Sequence, residues 1–344
     1  MKQLTLGKYP YTYARVSVMR SYLLDKEDYH KLLKMSLNEI ISFLQSSQYK
    51  KAIDELGVNY SGIELMEMAL NKNLVNTWNK LKNISPKEVD ILIDAYLSRA
   101  DLWNIKTILR GLHTNTPAEL IAPMLLQTGK LTQHLDKLLQ SESVEEFLRK
   151  LVIVGIQFES LSNSLETLKS KNSIVDLENF FDREYYNRMI KFSKTIPSEG
   201  KLFKQFLETE IETTNIMNVL RLKRAEVDKH KTQSYIIGKI STIVKKIIDT
   251  DNKEDITKIL SQLGVSEKAL EDFASNNSLT DVEIELGKNL LKKTRLLLHQ
   301  HPLTVDVILG YMFAKEVEVK NLKMLLKSRQ LNLDEEFIEQ QIIA

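Results

Sequence analysis

Apolar positions along this chain recur at helical rather than strand spacing, and one ten-residue pattern that occurs three times organises them. Asp101-Leu102-Trp103-Asn104-Ile105-Lys106-Thr107-Ile108-Leu109-Arg110 returns as Glu212-Thr213-Thr214-Asn215-Ile216-Met217-Asn218-Val219-Leu220-Arg221. The third copy is Glu318-Val319-Lys320-Asn321-Leu322-Lys323-Met324-Leu325-Leu326-Lys327. Each copy carries an acid, Asn three residues on, aliphatics at offsets four, seven and eight, and a base at nine. On a helix at about 100° per residue, those aliphatics fall at roughly 40°, 340° and 80° from the acid, with Asn at roughly 300°. Acid and Asn therefore lie on or beside the apolar stripe, while Arg110, Arg221 and Lys327 point away from it. Two readings follow. Asp101, Asn104, Glu212, Asn215, Glu318 and Asn321 are inward polar groups that bond a neighbouring helix, as buried polar atoms require. Alternatively, the three copies form a ring of sites for something else.

Other landmarks recur in the same order. Ser36-Leu37-Asn38-Glu39 reads as a capping box ahead of Ile40, Ile41 and Leu44; Ser143-Val144-Glu145-Glu146 repeats it, and Asn252-Lys253-Glu254-Asp255 is a weaker version. Glu67, Glu178 and Glu283 open a second shared pattern, and Pro86, Pro197 and Pro302 a third. From Glu to Pro the spacings are 86 − 67 = 19, 197 − 178 = 19 and 302 − 283 = 19. From Pro to Asn they are 104 − 86 = 18, 215 − 197 = 18 and 321 − 302 = 19. Such spacing indicates triplication of a unit the size of a small domain, too long for a helical-pair solenoid repeat. The expectation is an all-α chain of three homologous domains, 1–115, 116–230 and 231–344. Ser85 is expected to cap the helix that Pro86 opens, with Glu88 in its first turn. An earlier helix is expected across Tyr9 to Leu24, and no run alternates as a strand does.

Composition narrows the chemistry. Only 11 Gly and 6 Pro in 344 residues favour helices, and a net charge of +2 gives no footprint for nucleic acid. With no Cys, disulfides, thiolate metal sites and Cys nucleophiles are excluded. The opening Met1-Lys2-Gln3-Leu4 leads to Pro10, Arg15 and Arg20 rather than a signal-peptide core, and apolar runs such as Leu151 to Val154 are too short to span a membrane. A soluble chain, at most resting against a membrane-embedded partner, is expected. Gly129-Lys130 and Gly238-Lys239 lack the rest of a phosphate loop and are expected at helix ends. His299 and His301, two residues apart, point to different faces of a helix and make a poor metal pair. No nucleophile–base set stands out, so a non-enzyme without cofactor is expected.

The segment Tyr9-Pro10-Tyr11-Thr12-Tyr13-Ala14-Arg15-Val16-Ser17-Val18-Met19-Arg20-Ser21-Tyr22-Leu23-Leu24 resembles the opening of the C-type stalk component of A/V-type rotary ATPases, the counterpart of the d-type component in vacuolar ATPases. Tyr9, Tyr11, Ala14, Arg15, Val16, Met19, Ser21, Leu23 and Leu24 carry the match; Ser17 stands where the family commonly has a base and Pro10 where a small residue is usual. The resemblance spans essentially the whole chain. It implies a funnel of three domains about a pseudo-threefold axis, peripheral on the cytoplasmic face of the membrane. It also implies a non-catalytic central-stalk role between D- and F-type shaft subunits and the membrane proteolipid ring, in ion transport coupled to ATP synthesis or hydrolysis. The bases Arg110, Arg221 and Lys327 are candidates to face the shaft. A helical scaffold binding a soluble partner is the alternative.

Overall fold

The computed structural model describes residues 7–154, 174–197, 201–300 and 302–343, so His301 lies outside the described residues. Among the described residues there are helices and no strand. None of these helices is long and apolar enough to cross a membrane. The chain divides into two compact units, Lys87–Lys194 and a larger one of Met1–Pro86 with Thr195–Ala344.

The smaller unit contains α6 (Lys87–His113), α7 (Ala118–Ile121), α8 (Leu135–Leu139), α9 (Val144–Ile153) and α10 (Val175–Ser193). The first motif's aliphatics Ile105, Ile108 and Leu109 are buried here with Leu135, Phe147, Leu151, Leu177 and Phe181. In the larger unit α11 (Lys201–Arg224) inserts Ile216, Val219 and Leu220 among helices α13 (Thr242–Asp249), α14 (Lys253–Gln262), α15 (Glu267–Asn276) and α16 (Thr280–Gln300). Val244, Ile247, Leu260, Phe273 and Val282 complete that core. The same unit holds α17 (Val305–Gln330), packed on α1 (Pro10–Arg20), α3 (Leu37–Gln45) and α5 (Gly62–Ile84), with Leu322, Leu325 and Leu326 fully buried. Copy one thus packs with residues between Ile121 and Phe181, copy two with residues between Ile236 and Leu286, and the copy-three helix with α1, α3 and α5 as well as α16.

Side-chain caps open several of the helices. At α2 (Lys26–Leu33) Asp25 and Asp28 form a reciprocal box, and Ser36 and Glu39 do so at α3. Ser143 accepts from Glu146 N–H, but the Glu146 carboxylate takes the Glu142 N–H instead of returning to Ser143. Asn252 accepts from Glu254 N–H. The expected cap at Ser85 is not made. Helix α6 begins at Lys87, and the Ser85 hydroxyl is buried with no hydrogen bond. Ser85 instead closes α5 through its N–H to Lys82, in the extended conformation that a residue before proline favours. The early helix stops at Arg20, and Leu24 lies in the turn before α2. Gly129 and Gly238 are not at helix ends. Both sit at positive φ, +90° and +67°, in the connecting segments that follow α6 and α11.

Phe147 is fully buried in the smaller unit's core, whereas Ile153 on the same helix is 82% exposed. Phe147→Ala is expected to cost about 3–5 kcal/mol and Ile153→Ala to stay within about 0.5 kcal/mol, read by chemical denaturation of the full chain.

Candidate functional site

The three Asn side chains are buried, at 0%, 2% and 2% exposure for Asn104, Asn215 and Asn321. Their partner is the backbone of a connecting segment rather than a neighbouring helix. Asn104 donates from Nδ2 to Leu126 O and accepts Leu126 N–H at Oδ1, both at 2.8 Å. Asn215 does the same with Ile237, both at 2.9 Å. Asn321 brackets Ile343 at 2.7 and 3.1 Å. In every copy the bracketed residue is 22 positions on.

What lies between also repeats. A left-handed residue follows each Asn at 115 − 104 = 11, 226 − 215 = 11 and 332 − 321 = 11, with φ of 54°, 55° and 52°. The next N–H in each copy, from Thr116, Val227 or Leu333, returns to the carbonyl of Gly111, Leu222 or Ser328. This is the six-to-one closure of a Schellman turn, which satisfies a terminal carbonyl and reverses the chain. A short helix begins 14 residues after each Asn: α7 at Ala118, α12 (Lys229–Ser234) and α18 (Glu335–Gln341). The clamp then holds the strap that follows.

The acids are less uniform. Asp101 accepts Lys130 N–H at 3.0 Å and Leu131 N–H at 2.9 Å, so Asp101 and Asn104 grip one strap at two points. Burial pushes its carboxyl above the ordinary value, against the lowering effect of those two N–H donors. Gly129 leaves room for it, since a Cβ there would lie 2.3 Å from Asp101 Oδ1. Glu212 is half-buried on α11. Glu318 joins a buried cluster with Lys315, 2.8 Å away, and with Tyr49, Gln48 and the Leu24 N–H. Burial holds the Lys315 ammonium below its ordinary value despite the pull of Glu318.

The bases are exposed, and two of them are paired. Arg110 bonds both oxygens of Glu178, through Nε and, at 3.1 Å, Nη2. Arg221 bonds Glu283 at 2.6 Å. The second recurring pattern in the sequence therefore supplies the partners of the first. Lys327 is exposed on α17. A further pair escaped sequence reasoning. Lys106, two residues after Asn104, bonds Asp182 at 2.8 Å, four residues after Glu178. At the matching place in the larger unit Lys323 bonds Asn71, four residues after Glu67. The signal was the shared offset, 106 − 104 = 2 and 323 − 321 = 2.

Among the described residues no group of three His, Asp or Glu is placed to hold a metal ion. A cavity of about 700 Å³ lies beside the end of α11. On its rim Asp251 takes ion pairs from both Lys223 and Lys229, at 2.9 and 3.0 Å. The recurring arrangement positions backbone.

Two outcomes test it. Asn215→Asp keeps the acceptor for Ile237 N–H but sets a carboxylate oxygen against Ile237 O. It is expected to destabilise by at least about 2 kcal/mol in urea unfolding, as is Asn215→Ala, which orphans both groups. Burial raises the Asp182 carboxyl above its usual 3.8, outweighing Lys106. A raised folded value favours the protonated fold, so Asp182 contributes stability fully below 3.8 and loses it as pH rises through the folded value. Asp182→Asn, the residue the first repeat already uses as Asn71, is expected to change stability by no more than roughly 1 kcal/mol at pH 7. Relative to that variant, wild type should gain stability as pH falls from 7 towards 3.8, measured by denaturation at each pH.

Residues 12–341 match the family model described as ATP synthase (C/AC39) subunit. The chain is 34% identical over 358 residues to the C-type subunit of the A-type ATP synthase of Methanococcoides burtonii, covering 98% of this chain and 94% of that protein. It is 30% identical to the Haloquadratum walsbyi protein of the same name, with 97% of each covered, and 32% identical to that of Methanosarcina mazei, with 98% and 93% covered. With the match running from α1 to α18 and through all three motif helices, this chain belongs to the ATP synthase (C/AC39) subunit family.

Proposed function

We propose that this protein is a non-catalytic component of the central stalk of an A/V-type rotary ATPase. It receives D- and F-type shaft subunits and rests on the membrane proteolipid ring at the cytoplasmic face, coupling ion flow to ATP synthesis or hydrolysis. The observation that carries this reading is the match over nearly the whole chain to relatives named as the C-type subunit of A-type ATP synthases. The absence of a membrane-spanning helix among the described residues agrees with a peripheral position.

Within this reading the sequence repeats 1–115, 116–230 and 231–344 close around a pseudo-threefold axis as a funnel. Support comes from the recurrence of one clamp, one turn and one strap after every motif helix. Copy three also turns back to the first repeat, so the order of packing is cyclic. A torque coupler needs stiffness, and straps closed by a backbone turn at one end and held by a buried Asn further on supply it where free loops would not. Arg110, Arg221 and Lys327 line the shaft side in this reading, with Glu178 and Glu283 steadying the first two.

The test is a pull-down of tagged protein from solubilised membranes, scored for proteolipid and shaft subunits. Recovery of both is expected; recovery of a soluble partner alone would favour an adaptor. Reversing Arg110, Arg221 and Lys327 to Glu is expected to weaken capture of the shaft at least about tenfold, and more so at low salt. Glu178→Gln with Glu283→Gln breaks the pairs but keeps the bases, and capture should persist. Equal loss in both sets would assign the bases to bracing alone.

A further inference from the structure

The three clamps share one register, but the junctions they hold differ in covalent continuity. After copy one the chain runs unbroken from Asn104 through bracketed Leu126 to Lys130 and Leu131, whose N–H groups Asp101 accepts. After copy two it runs unbroken from Asn215 to bracketed Ile237 and on into α13. After copy three, Asn321 brackets Ile343, but the N–H accepted by the acid belongs to Leu24, at 2.6 Å from Glu318 Oε2. The early segment takes up the register where the 331–343 strap leaves it, and no peptide bond joins them, because Leu24 follows Leu23.

This junction carries fastenings of its own. Three residues before the acid, copies one and two have Ser98 and Thr209, whereas copy three has Lys315. Lys315 is fully buried and lies 2.8 Å from both Glu318 Oε1 and the Tyr49 hydroxyl, with its ammonium over the Tyr49 ring. Gln48 donates to Glu318 and to Tyr22 O, tying down the turn that carries Leu24. Tyr29 is buried, and His30 faces Glu339 of the strap at 3.5 Å. Glu318 and Asn321 are one helical turn apart, so the grips on Leu24 and Ile343 share a single stretch of α17.

We propose that this seam is a latch. It replaces a covalent junction with a buried Lys–Glu–Tyr cluster and the Asn clamp, and it opens as one unit, releasing Leu24 and Ile343 together while the two continuous junctions stay closed. Altering one partner of a buried ion pair leaves an uncompensated buried charge, so the cluster fails sharply rather than by degrees, which suits an all-or-none fastening. Connectivity keeps the other two straps near their clamps after a local opening, whereas the two sides of the seam separate.

The equivalent amides are internal standards for the test. Native-state hydrogen exchange of the full chain is read at Leu24, Ile343, Leu126, Leu131 and Ile237. Leu24 and Ile343 are expected to share one protection factor, at least about tenfold below those of Leu126, Leu131 and Ile237. Glu318→Gln, which removes the charge and leaves one acceptor oxygen where the carboxylate uses two, should lower protection at Leu24 and Ile343 by a further factor of about ten and leave the other three unchanged. Five equal protection factors would overturn the latch. So would fast exchange at only one of Leu24 and Ile343, which is simple fraying, or a variant that accelerates all five alike.

Discussion

A primary amide can donate to the carbonyl and accept from the N–H of the same residue, and the structure depends on that property of Asn. A buried strap without regular structure carries peptide groups that neither helix nor sheet satisfies. Asn104, Asn215 and Asn321 each satisfy both groups of one such residue. A carboxylate lacks the donor and a hydroxyl lacks the reach to serve both at once, so the chemistry narrows to an amide at this position. The short helix and turn before each clamp are positioned by it, and the long helix that bears it is positioned in turn by the stripe beside it.

Much of this was legible in the sequence. The offsets of four, seven and eight placed Ile105, Ile108 and Leu109, and their counterparts, on one apolar face, and all are buried. The capping residues Ser36 and Asp25 announced their helices through short-range chemistry. What could not be read was the identity of long-range partners. Leu126, Ile237 and Ile343 are bracketed through their peptide groups, and a peptide group leaves no mark on residue type. Asn115 and Asn332 suit a left-handed turn, but Glu226 adopts it without any such signal, carried by the same Schellman closure. Ser85 looked like a cap because its neighbours had the right order, yet the proline after it set its backbone to finish the preceding helix. Glu178 and Glu283 were visible as landmarks, while their pairing with Arg110 and Arg221 required folding across 178 − 110 = 68 and 283 − 221 = 62 residues.

The copies also show how one geometric task is met with different electrostatics. In copy one the inward acid is balanced by two backbone N–H groups and by space left beside Gly129. In copy three the balance comes from the Lys315 ammonium, one turn away on the same helix, and from a phenol and an amide drawn from a distant segment. Lys106–Asp182 and Lys323–Asn71 show the same drift: a charge-assisted hydrogen bond persists while one partner loses its charge. Position and donor–acceptor sense are retained, and net charge is free to vary, as expected where desolvation offsets most of an ion pair's attraction.

The offset between sequence repeats and packed cores bears on how the molecule is made. Helix α17 completes the core around the first 84 residues, yet it begins only at Val305. On the ribosome the N-terminal repeat emerges first and waits for most of the chain to be translated before its apolar face is covered. The Lys87–Lys194 unit contains its own motif helix and its own core, and can close as soon as it leaves the exit tunnel. Maturation therefore starts in the middle of the chain and finishes at its beginning, leaving the earliest-made helices the longest exposed to chaperones.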